Sequence, residues 1–132
     1  MTETAPRTLL VIDDEAQIRM LFRTALEAVG YHVLTAEHGQ HALNLLLHHA
    51  VDLILVDVYM PGMDGLELIP RLRASQPASK IIAMSGGTGE WDALDVATDL
   101  GADQTLRKPF SPRELLDAIS AQLTANKIDG RF

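Results

Sequence analysis

Five short apolar runs, each followed by a longer stretch of helical period, limit what this chain can fold into more than any other feature of its sequence. The runs lie at 8–12, 32–36, 52–56, 80–84 and 104–107. The first, third and fourth are nearly unbroken Leu, Ile and Val, the composition of strands buried on both faces. Helices are expected near 15–29, 39–49, 65–74, 89–100 and 112–125. Their ends are marked: Asp64 with Glu67 and Ser111 with Glu114 have capping-box spacing, Pro112 opens the last helix, and Gly30 and Gly101 stop the first and fourth. With crossovers obliged to be right-handed, this alternation predicts an α/β fold, a doubly wound (βα)5 sandwich with a parallel sheet between two layers of helices.

At 132 residues, 47% of them apolar and 22% charged, the chain can build one core and has no room for two. One domain is expected over 8–125, between tails at 1–7 and 126–132, the latter expected to fray. No cysteine is present, which removes thiolate metal sites and cysteine nucleophiles and fits a reducing compartment, so a cytoplasmic location is expected. No apolar run approaches the length of a membrane span, and the first residues lack the order of a secretory signal. The balance of 11 basic against 18 acidic residues, a net charge of −7, argues against direct contact with nucleic acid, and without an apolar span no membrane partner is expected.

In a doubly wound sheet, ligands bind beyond the carboxyl ends of the strands, so the residues just after each run are the ones to interrogate. After the first come Asp13, Asp14 and Glu15; taken alone, Asp14 reads as the cap of the following helix. After the third comes Asp57, ahead of a loop shaped by Pro61, Gly62 and Gly65, with no cap to serve, and it reads as functional. After the fourth comes Ser85, followed by Gly86, Gly87, Thr88 and Gly89, small residues that let backbone amides approach an anion. After the fifth comes Lys108, held by Pro109 in extended backbone ahead of a bond that can be cis. Each has a bland alternative as a cap, a connection or a solvated end. Together they put carboxylates, a hydroxyl beside glycines and one ammonium on one rim, a set suited to Mg²⁺ and a phosphoryl group.

The motifs Val11-Ile12-Asp13-Asp14-Glu15, Asp57 with Met60-Pro61-Gly62-Met63-Asp64-Gly65, Ser85-Gly86 and Lys108-Pro109-Phe110 resemble those of the response regulator receiver domain of two-component signalling, over roughly Thr8 to Leu123. The resemblance implies a flavodoxin-like sheet of order 2-1-3-4-5, an order carried over with the family and not read from spacing. It implies that Asp57 accepts a phosphoryl group from a sensor histidine kinase or histidine phosphotransfer protein. It also implies that Asp14, Asp57 and the Tyr59 backbone carbonyl bind Mg²⁺, with Mn²⁺ as the alternative, while Asp13 holds a metal water. Lys108 and Ser85 would serve the phosphoryl oxygens beside the Gly86 loop, and the product would switch contacts with a downstream protein, as a monomer or a phosphorylation-dependent homodimer. Its chemistry would be limited to self-phosphorylation and autophosphatase activity. One departure stands out: Thr105 occupies a position where the family usually has Tyr or Phe, whose ring turns inward on activation. Trp91, expected on the fourth helix, is the candidate to stand in for it. Tyr59, two residues after Asp57, is bulky for a site that family members use to regulate attacking water, and slow loss of phosphate is expected.

Other conspicuous residues have plain readings. His38 and His41, with His48 and His49, read as a solvated second helix and not a metal site; Leu43, Leu45, Leu46 and Leu47 read as core; Met20 and Leu21 follow the period of the first helix. A phosphohydrolase with an aspartyl nucleophile is the rival from another class, but such enzymes place a second aspartate two residues after the first, whereas Asp13 and Asp14 are adjacent. A flavin-binding domain on the same fold is disfavoured by an aromatic content of 5%. The last helix ends close to the C-terminus, so no output domain is expected within this chain, which would act as a standalone regulator, a phosphorelay intermediate or a receiver excised from a larger protein.

Overall fold

Parallel strands and helices alternate through a computed structural model of the chain, which describes residues 6–59, 65–86 and 93–129, with backbone alone at 65, 93, 94 and 125–129. The elements are β1 (Thr8–Ile12), α1 (Ala16–Ala28), β2 (His32–Ala36), α2 (Gly39–Leu46), β3 (Leu53–Asp57), α3 (Gly65–Ser75), β4 (Lys80–Ser85), α4 (Ala93–Leu100), β5 (Gln104–Arg107) and α5 (Pro112–Asp129). The sheet runs β2-β1-β3-β4-β5, all pairs parallel, the order that the resemblance implied.

Period-two alternation divides the core between two layers. Leu10, Ile12, Ile54, Val56, Ile81 and Ala83 face one side, where Leu46 of α2, Leu68 and Leu72 of α3 and Ala97 of α4 cover them. Leu9, Val11, Leu53, Leu55, Ile82 and Met84 face the other, against Phe22 and Leu26 of α1 and Leu115 and Ile119 of α5. Strands β1, β3 and β4 are buried along almost their whole length, which is why their sequence is continuously apolar and not alternating.

Several boundaries differ from expectation. β3 spans 53–57 and not 52–56, because the ladder to β4 continues past the apolar run: Asp57 pairs with Met84, and the Val58 N–H donates to the Met84 carbonyl at 3.0 Å. Asp52 instead uses its carboxylate to accept the Thr8 N–H at 2.8 Å. α2 stops at Leu46, so Leu47, expected in the core, is 74% exposed; Met20 and Leu21 also face solvent on α1. α5 runs on to Asp129. The expected box at Ser111 is present, with the Glu114 N–H donating to Ser111 Oγ at 3.0 Å and the Ser111 N–H to Glu114 Oε1 at 2.9 Å. Gly30 and Gly101 end their helices at positive φ, +102° and +128°. The box expected at Asp64 lies outside the described residues, as do Trp91 and position 89, where the fourth helix is expected to begin.

At the amino-terminal rim, Arg73 of α3 ties three elements together. Its guanidinium donates to the carbonyls of Ser79 (2.6 Å) and Gly101 (2.9 Å) and to Asp103 Oδ2 (2.6 Å), which also accepts the Ile81 N–H.

Candidate functional site

The carboxyl ends of β1 and β3 adjoin, and that adjacency brings Asp13 and Asp57 together. Asp13 follows Ile12 directly, its N–H bonded to the Ala36 carbonyl at 3.2 Å, so its side chain is held inside with no exposed surface. Oδ1 accepts the Glu15 N–H at 2.9 Å, while Oδ2 has no hydrogen-bond partner among the described residues. Asp57, 6% exposed, closes β3; its Oδ1 accepts the Tyr59 N–H at 2.9 Å and its Oδ2 accepts from Lys108 Nζ at 3.2 Å. The same ammonium stands 3.8 Å from Asp13 Oδ2. Asp14 is exposed at the mouth, and one oxygen from each of the three aspartates lies within 4.8 Å of the others.

Three carboxylates facing one ammonium leave an excess of negative charge in a partly dry site. Burial, above all, pushes the Asp13 carboxyl up to about 6 from 3.8; the Asp57 charge pushes the same way, and the Glu15 N–H and Lys108 oppose both. An unpartnered buried carboxylate oxygen beside two more carboxylates is costly until a cation reaches it. The donors are hard oxygens, so the set fits Mg²⁺ or Mn²⁺ and does not fit a soft metal.

The rest of the predicted set surrounds this pair. Ser85, the last residue of β4 and buried, accepts the Lys108 N–H on its carbonyl at 2.8 Å. Gly86 lies against the Lys108 stem: a Cβ there would stand 3.4 Å from Lys108 Cβ and 3.6 Å from its Cδ. The Lys108–Pro109 bond is cis. Tyr59 is 48% exposed at the mouth. Thr105, half-buried on β5, pairs with Ala83 in the sheet and precedes Lys108 on the same strand end. Met60 to Asp64, Gly87, Thr88, Gly89 and Trp91 lie outside the described residues.

Asp14 does not cap α1. Glu15 holds the N-cap position and makes no side-chain cap bond, so the helix forgoes about 1 kcal/mol that a capping Asp supplies. The carboxylate is kept for the cluster instead. Two further residues were not legible as participants. Arg19, one turn into α1, donates from Nη1 to the Asp13 carbonyl at 2.8 Å. His38, read as a solvated side chain, is the N-cap of α2: its Nδ1 accepts the His41 N–H at 3.1 Å. An imidazole that accepts at Nδ1 while neutral carries its proton on Nε2, which withholds that nitrogen from a metal.

Comparison with known proteins follows the same lines. The family described as the response regulator receiver domain matches residues 9–120. The phosphate regulon transcriptional regulatory protein PhoB of Pseudomonas aeruginosa is 42% identical over 118 residues, 89% of this chain and 52% of that protein. Sporulation initiation phosphotransferase F of Bacillus subtilis is 33% identical over 115 residues, 87% of this chain and 92% of that protein. The chain thus spans about half the length of the first and most of the second. Among solved structures, a CheY-like receiver domain protein from Methanospirillum hungatei superposes with a TM-score of 0.88 at 27% identity, covering 94% of this chain and 98% of the other. The chemotaxis protein CheY4 of Vibrio cholerae gives 0.81 at 30% identity, covering 89% and 98%.

Proposed function

The chain belongs to the response regulator receiver domain family of two-component signalling, and from that premise we propose that Asp57 is its phosphoacceptor. The observation that carries the reading is the pairing of Asp57 Oδ2 with Lys108 Nζ at 3.2 Å beside a buried Asp13 oxygen that no donor among the described residues satisfies. The donor is a phosphorylated histidine of a sensor kinase or phosphotransfer protein. As an Asp57 oxygen forms its bond to phosphorus, the P–N bond breaks and its electron pair returns to the imidazole, leaving an acyl phosphate.

Each residue has a part in that transfer. The Tyr59 N–H, 2.9 Å from Asp57 Oδ1, fixes the carboxylate plane, so the nucleophile is oriented before the donor arrives. Lys108 sets a cation against the charge that gathers on the phosphoryl oxygens. Asp14, Asp57 and the Tyr59 carbonyl would hold Mg²⁺, with Asp13 acting through water, and the cation would supply the remaining positive charge. Ser85 donates its hydroxyl to a phosphoryl oxygen of the product, and the Gly86 backbone packs beside the Lys108 stem. The new contacts at Ser85 bias the loop after β4, and with it the affinity for a downstream protein. Thr105 cannot supply the inward-turning ring used elsewhere in the family, so that coupling runs through other side chains.

Beryllofluoride, a stand-in for the acyl phosphate, tests the reading. It is expected to raise the melting temperature only together with Mg²⁺, and to have no effect on Asp57→Asn. A shift that needs no Mg²⁺, or that survives the substitution, contradicts it.

A further inference from the structure

Arg19 carries an inference that rests on the phosphoacceptor reading for its cation and goes beyond it in assigning a residue. Its side chain is 18% exposed, and its two terminal nitrogens reach in different directions. Nη1 donates to the Asp13 carbonyl at 2.8 Å; Nη2 stands 4.0 Å from Glu37 Oε2, at the start of the turn between β2 and α2. On the other side of the same residue, the Asp13 N–H is tied to the Ala36 carbonyl. The backbone of Asp13 is therefore anchored on both flanks, and the peptide that joins it to Asp14 is fixed in orientation.

That peptide decides where Asp14 points. Aspartate is among the preferred N-cap residues and glutamate is not, so a helix starting one residue earlier would take Asp14 as its cap and turn the carboxylate toward the first amides of α1. In the structure Glu15 occupies the cap position without a cap bond, and Asp14 stays with Asp13 and Asp57. We infer that Arg19 is a positioning residue for the cation site: its bond to the Asp13 carbonyl holds the Asp13–Asp14 peptide so that Asp14 faces the carboxylate cluster and not the amides of α1. An arginine suits the task because its planar fork serves the carbonyl and Glu37 at once, whereas a lysine reaches one of them.

Without the bond, the capping and cluster arrangements of Asp14 compete, and the apparent affinity for cation falls with the fraction that remains competent. A loss of about tenfold is expected, equivalent to about 1.4 kcal/mol. The test is calorimetric titration of the whole chain with Mg²⁺ alone, beside melting in EDTA, for the wild type, Arg19→Gln, Arg19→Lys and Asp14→Asn. Arg19→Gln, too short to reach the carbonyl, is expected to weaken Mg²⁺ about tenfold with metal-free melting nearly unchanged, and Arg19→Lys to recover to within about threefold. Arg19→Met replaces the glutamine variant should that one not fold. Mg²⁺ affinity within twofold of wild type in Arg19→Gln, or in Arg19→Met where it replaces that variant, while Asp14→Asn binds weakly, overturns the inference and leaves the site intact. If Asp14→Asn also binds like the wild type, the cation site itself is wrong and the inference falls with it.

Discussion

Replacing Asp13 by Asn is expected to stabilise the metal-free protein. The substitution keeps the oxygen that accepts the Glu15 N–H and exchanges the unpartnered Oδ2 for an uncharged amide facing the Asp57 carboxylate. Folding raises the Asp13 carboxyl from 3.8 to about 6, chiefly through burial. At about 1.4 kcal/mol for each pH unit, keeping that group ionised in the fold costs about 3 kcal/mol at neutral pH. For a domain of this size that is a rise in Tm of about 10 °C. The sign follows from proton binding: between pH 3.8 and about 6 the folded state holds this proton more tightly than the unfolded chain, so the group's contribution to stability falls as pH rises through that window. The two proteins should therefore melt alike near pH 3.5, separate between about pH 4 and 6, and stay apart by a constant amount above it. Urea unfolding in EDTA across this range reads the difference directly, because titrating groups remote from the carboxylate cluster cancel in the comparison. Mg²⁺ should then narrow the gap, because it stabilises the wild type more than the variant. A variant no more stable than the wild type at pH 7.5 in EDTA, or a gap that does not change with pH, would refute the reasoning.

Tyr59 stands half-exposed beside Asp57, and on the phosphoacceptor reading its ring would screen the acyl phosphate from water. Tyr59→Asn is expected to lose phosphate several-fold faster than the wild type, followed by the decay of the phosphorylated mass after the donor is removed; an unchanged rate sinks the idea. At the other rim, Arg73→Ala strips partners from the Ser79 and Gly101 carbonyls and leaves Asp103 without its cation. The cost should be about 3 kcal/mol in urea unfolding, with Mg²⁺ affinity retained. Coincident urea midpoints would mean that the clip is not structural.

How far the sequence alone reached depends on whether a feature is local. β1, β2 and β5 match their expected bounds, and the capping box at Ser111 formed as its spacing required, because apolar period and short-range caps are both local. β3 was misjudged by one residue because an apolar run marks burial, while the ladder follows hydrogen bonds to Met84. The candidate site residues come together for a topological reason: in a parallel sheet, residues far apart in sequence that end their strands meet on one rim. The errors are competitions that only three dimensions settle. Asp14 is a good cap by type but is kept in the cluster, with Arg19 bonded to its neighbour's carbonyl. His38 is an unusual cap by type and serves as one. Arg73 meets Asp103 across 30 residues, with no periodic signal to announce it. Leu47, Met20 and Leu21 continue an apolar pattern beyond what α1 and α2 bury.

The most direct test of the central claim is the intact mass of the protein after incubation with acetyl phosphate and Mg²⁺. A gain of one phosphoryl group is expected, lost in EDTA and absent from Asp57→Asn. A protein that gains no mass, or an adduct of the same size on Asp57→Asn, would contradict the assignment of Asp57 as the phosphoacceptor.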